Sequence, residues 1–88
     1  MNANRRKELS SISDRIEDLA GLIESIRGDL ETIRDEEQEY FDNMPENMQV
    51  ADRGTKAEEA ISALEDAISE MEDYDTDGIL SYIETASE

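Results

Sequence analysis

Cysteine, histidine and tryptophan are all missing from this chain. Without cysteine there is no disulfide framework and no thiolate metal site. Without histidine the usual general base, the usual activator of a nucleophile and the commonest transition-metal ligand are gone. Serines are present, but nothing beside them would activate a hydroxyl. The carboxylates have no apolar, glycine-rich or basic pocket sequence around them to separate their acid and base roles. A non-enzymatic protein is therefore expected. No apolar run is long enough to cross a bilayer, and no hydrophobic signal-peptide core follows the Arg5-Arg6-Lys7 cluster. The expected compartment is the cytoplasm.

Positive charge is also scarce. Eight Lys and Arg face 25 Asp and Glu, for a net charge of −17 in 88 residues. Residues 1–34 are nearly balanced, with six basic and seven acidic side chains, whereas residues 35–88 carry two basic and eighteen acidic ones. Nothing basic follows Lys56. Direct binding to nucleic acid or to anionic membrane is disfavoured, because both are polyanions. Cations and basic protein surfaces are favoured partners. The length suits one domain with a small core.

What the sequence has in abundance is helical periodicity. From Leu9 the apolar residues step by three and four: Leu9, Ile12, Ile16, Leu19, Ile23, Ile26, Leu30 and Ile33. The step runs on through Glu37 to Tyr40, an a/d heptad pattern. A first helix over about residues 3–42 would span roughly 60 Å. Gly21 and Gly28 lie within it, outside the a and d positions, each costing up to about 1 kcal/mol. Asn43 and Pro45 mark a connector over residues 43–54. Thr55 and Glu58 form a capping box for a second helix over about residues 55–73, with a seam of Ala57, Ile61, Leu64, Ile68 and Met71. An acidic turn at 74–78 and a short helix at 79–86, apolar at 79, 82, 83 and 86, follow. The predicted fold is all-α: one helical-hairpin domain, residues 1–88. The second helix is too short to cover Leu9, Ile12, Ile16, Leu19 and Ile23. Unless the third helix folds back over them, that stripe predicts coiled-coil-like self-association, as a dimer or higher oligomer.

Residues 73–84, Asp-Tyr-Asp-Thr-Asp-Gly-Ile-Leu-Ser-Tyr-Ile-Glu, satisfy every fixed position of an EF-hand calcium loop. Asp73, Asp75 and Asp77 would be the first ligands, Ile79 would offer its carbonyl, Ser81 would act directly or through water, and Glu84 would bind with both oxygens. Gly78 would make the sharp turn. Ca2+ is the one cofactor this pattern implies. The competing reading is a helix-breaking acidic turn before a short helix, since only one loop is visible and the exiting helix is short.

The stretch from Arg34 to Gln49, with Phe41-Asp42-Asn43-Met44-Pro45-Glu46 at its centre, is followed by Arg53-Gly54 and an Ala/Glu/Leu-rich helix. It resembles a group of small acidic proteins encoded in bacteriophages and prophages. The resemblance covers about residues 30–72. It implies the cytoplasm of an infected bacterial host, and it assigns no activity. The segment Asp73–Gly78 departs from the group, where a Glu/Ala/Leu helix would continue.

Two surfaces are candidates for a partner. On the second helix Glu58, Glu65 and Glu72 recur every seven residues beside a parallel row of Glu59, Asp66 and Asp73. Such rows can imitate duplex phosphates toward a nuclease, polymerase, repressor or defence effector. At the connector, Tyr40, Phe41, Asp42 and Met44 form either a docking patch or a plug for the hairpin end. Three functions compete: occlusion of a basic surface in DNA-mimic style, a calcium-binding module, and a structural coiled-coil component. A fourth, a sponge for small anionic nucleotides, is opposed by the net charge of −17 unless Arg5, Arg6, Lys7 and Arg15 line an oligomer interface.

Overall fold

The computed structural model describes residues 1–88, which form four helices and no strand: α1 Ala3–Asp42, α2 Glu46–Gln49, α3 Asp52–Glu72 and α4 Thr76–Ser87. The all-α hairpin is present. α1 runs forty residues without a break because no proline enters it before Pro45. Asn2 caps its start, the side chain accepting from the Arg5 amide at 2.9 Å. It ends where Met44, the residue before Pro45, leaves the helical region. Gln49 then donates its side-chain amide to the Phe41 carbonyl at 3.2 Å, satisfying one of the acceptors that the end of α1 leaves unpaired.

The second long helix starts earlier than the capping box predicts. Thr55 is already inside α3, its amide bonded to the Ala51 carbonyl at 3.0 Å, and no side chain caps the start at Ala51. The early start rests on Gly54, which is buried with the Gln49 backbone lying where a Cβ would stand. The single turn of α2 can fold down on α3 because that side chain is missing.

α3 runs back along the C-terminal half of α1. Ala57, Ile61 and Ile68 are buried, and Met44 closes the end of the hairpin. Each buried isoleucine stabilises the pairing by roughly 1.5–3 kcal/mol. Arg27 is half-buried where the helices meet. It pairs with Glu31 at 3.0 Å, Glu24 at 3.3 Å and, across the hairpin, Glu72 at 3.7 Å.

After a three-residue bend, α4 continues in the direction of α3 and lies along the N-terminal half of α1. Leu80, Ile83 and Ser87 face inward, while Ile79 and Tyr82, apolar positions of the sequence-predicted third helix, stay exposed. Arg6 of α1 donates through Nε to the Ser87 carbonyl at 3.0 Å and through Nη2 to that of Glu88 at 3.4 Å. A cation there satisfies the free carbonyls at the end of α4. The second long helix is by itself too short to reach Leu9–Ile23, and the last helix folds back as the exception: α4 supplies the missing length and partly covers Leu9, Ile16 and Ile23, while Ile12 and Leu19 stay exposed.

The result is a rod of 68 × 15 × 13 Å. Its radius of gyration is 20.3 Å, against about 12 Å for a compact domain of this length. Gly54→Ala should lower unfolding stability by about 2 kcal/mol or more, because the new Cβ meets backbone and not a side chain that can move. Gly21→Ala has open space around it and should raise stability by about 0.5–1 kcal/mol. Urea unfolding of the two variants checks both signs.

Candidate functional site

Of the 25 Asp and Glu residues, Glu31 and Glu37 are half-buried and the other 23 are exposed. Glu24, Glu31, Glu72 and Asp35 have an arginine within salt-bridge distance, and no other carboxylate has one. The chain therefore carries its negative charge as a free surface.

α3 organises part of it. Glu58, Glu59, Glu65, Asp66 and Glu72 are all exposed, and Asp73 follows as the last residue of the row at the helix end. The buried face of the same helix is Gly54, Ala57, Ile61 and Ile68. The apolar residues fix which side of α3 meets α1, so Glu59, Asp66 and Asp73 project away from α1, while Glu58, Glu65 and Glu72 flank the packed seam and Glu72 reaches Arg27 of α1. Seven residues advance about 10.5 Å along a helix, so the six carboxylates from 58 to 73 occupy about 22 Å.

The connector residues separate. Tyr40 is 49% exposed and Asp42 is exposed, whereas Phe41 is half-buried and Met44 is only 8% exposed. Met44 has turned into the end of the hairpin, where it cannot form part of a docking surface. That half of the connector patch is corrected to a plug, since a flexible thioether fills the irregular gap where two helices and a turn converge.

The calcium-loop residues lie in a different arrangement from the one the pattern describes. Residues 76–87 are helical, so Asp77, Ile79, Ser81 and Glu84 are placed around α4. Gly78 is inside this helix and has no positive φ. The Asp75 carboxylate caps α4 by accepting from the Gly78 amide at 2.8 Å. No cluster of three or more carboxylates is close enough to hold a metal ion. Calcium held by Asp73, Asp75, Asp77 and Glu84 together would require the first turns of α4 to unwind.

Between Ile23, Arg27, Met71, Tyr74 and Thr76, at the bend joining α3 to α4, lies an open groove of about 430 Å³. Glu24, Glu72 and Asp77 stand at its edge, and Arg27 is engaged by Glu24, Glu31 and Glu72. It is a product of the bend and gathers no catalytic set. Arg27 and Arg6 are the contacts that the sequence pattern misses. Arg27 is half-buried and Arg6 exposed, and only the position of the opposite helix gives them their partners across the rod.

No helix is long and apolar enough to cross a membrane. No family model, no curated protein and no solved structure matches this chain.

The capped α4 and a calcium loop over the same residues exclude one another, so a calcium titration read by circular dichroism separates them. Helix signal retained at millimolar calcium and matched ionic strength is expected for the capped helix. A calcium-dependent loss of helix that Glu84→Gln abolishes would establish the loop instead.

Proposed function

We propose that this protein is a non-enzymatic binding protein whose acidic surface occludes a basic, nucleic-acid-binding surface of another protein. The observation that carries this reading is the exposed double row on α3: Glu58, Glu65 and Glu72 beside Glu59, Asp66 and Asp73. Two carboxylates recur about every 10.5 Å, or one per about 5 Å, the same order as the one per 3.4 Å along a single strand of duplex DNA; Glu72 shares its charge with Arg27. The rod is two helices wide, about 20 Å with side chains, so the rows stand on a narrow convex surface that an open basic cleft can receive. Both rows stand on a helix that is packed along α1, so the carboxylates keep their spacing and the partner does not have to order them.

The partner is a protein that meets phosphates with lysine and arginine, such as a nuclease, polymerase, repressor or defence effector. The resemblance of the connector region to phage-encoded acidic proteins supports an infected bacterium as the setting. The exposed Asp42 extends the acidic surface around the end of the rod.

Capture from bacterial lysate, followed by competition with duplex DNA, tests the reading. The captured protein should be displaced by duplex DNA. It should be released between roughly 0.1 and 1 M salt, as the screening length falls from about 10 to 3 Å. Replacing Glu58, Glu59 and Glu65 by Gln and Asp66 by Asn leaves every salt bridge of the fold intact and should weaken binding at least about tenfold, in line with the loss of several desolvated charge pairs. Binding that ignores salt, or that survives the four substitutions, would overturn the reading.

A further inference from the structure

α1 carries a second apolar stripe that no part of the chain covers. Partly covered residues on α1 include Leu9, Ser13, Ile16, Ala20, Ile23 and Arg27, and the same 3–4 step continues to Phe41. The arm of α3 and α4 thus packs on one flank of the heptad. The other flank is left open: Ile12 is 39% exposed, Leu19 39%, Leu22 57%, Ile26 40%, Ile33 51% and Tyr40 49%. These six lie on one helix face, spaced by three, four or seven residues over about 42 Å. Four charged residues complete the same stripe in the same spacing: Glu8, Arg15, Asp29 and Glu36, all exposed. The chain exposes 6601 Å² in all, whereas a compact monomer of 10.0 kDa would expose about 5,200 Å². That excess is the kind of surface an association buries.

We infer that this stripe is the interface of an antiparallel homodimer, with Leu22 close to the two-fold axis. Charge selects both the occupant and its direction. The stripe has a cation, Arg15, seven residues before Leu22 and an anion, Asp29, seven residues after it. In an antiparallel pair, Arg15 of each copy comes within about a turn of Asp29 of the other, and Leu22 meets the other Leu22 or its apolar neighbours Leu19 and Ile26. In a parallel pair every position meets itself. Arg15 then faces Arg15, Asp29 faces Asp29, and Glu36 faces Glu36, all repulsive.

At the outer positions of the stripe the antiparallel pairing sets Glu8 of each copy opposite Glu36 of the other, a like-charge contact that the basic residues flanking Glu8 offset. Antiparallel pairing lays Arg5 and Lys7 of one copy beside Asp35, Glu36 and Glu39 of the other. It also sends the two strongly acidic connector ends to opposite ends of a rod 68 Å long, several screening lengths apart. The interface leaves the exposed rows of α3 free, because α3 packs on the other flank of α1.

Light scattering and sedimentation equilibrium over the micromolar range test the interface. The wild-type chain should sediment as a dimer. Leu22→Asp should raise the dimer dissociation constant by about a hundredfold or more, with helix content unchanged because residue 22 is exposed. Arg15→Asp and Asp29→Arg should each weaken the dimer by about tenfold, and the double variant Arg15→Asp/Asp29→Arg should recover most of the loss. A parallel pair would show no recovery, because reversing both signs leaves each position facing its own charge. A wild-type monomer at high micromolar concentration, a Leu22→Asp dimer of wild-type strength, or single charge variants without effect would each overturn the inference.

Discussion

A forty-residue helix with more apolar surface than one partner can hide is the constraint on which the rest of this molecule depends. The apolar residues of α1 occupy the a and d positions of a heptad and extend at Leu22 into the next position. A helix is curved, and one antiparallel neighbour covers a band that reaches only one flank of such a surface. Here the neighbour is a bent arm, α3 and α4 in succession, which packs along Leu9, Ile16, Ile23 and Leu30. The flank from Ile12 to Tyr40 remains in solvent. A core of four buried apolar residues, Met44, Ala57, Ile61 and Ile68, is what a rod of this width can provide.

Polar contacts hold the arm in place where apolar ones are thin. Arg27 joins the two long helices through Glu72, and Arg6 holds the end of α4 through backbone carbonyls. Such partly exposed pairs each contribute little, on the order of 0–1 kcal/mol. They matter here as position markers, since a helix one residue out of register would lose both. The bend between the helical parts of the arm is stabilised locally by Asp75, whose carboxylate would otherwise add to an already repulsive acidic run.

The charge distribution then follows from which sides of the helices are packed. With the apolar residues of α3 turned toward α1, the carboxylates at 58, 59, 65 and 66 have no place except in water. They are spaced by the rise of the helix and have no cation within salt-bridge distance, so they leave a strongly negative surface. The charge of α1 is uneven in a different way, with a basic cluster at its start and an acidic finish.

The all-α class, the extent of α1 from residue 3 to 42, the reversal near Pro45, the inward residues of α3 and the exposed acidic rows were all legible in the sequence. Each depends on periodicity, helix breakers or charge within a short stretch, which local rules read directly. The start of α3 was not legible, because a capping box at Thr55 and an open helix start at Asp52 differ only in what Gly54 packs against. Nor was the state of residues 73–84. The same aspartates and glycine suit a metal loop or a capped helix, and here the helix lies along α1, where Leu80 and Ile83 face inward. Which flank of α1 stays open was likewise decided only by tertiary structure. An a/d pattern states that a face is apolar, but the side from which a bent arm approaches depends on the whole chain at once.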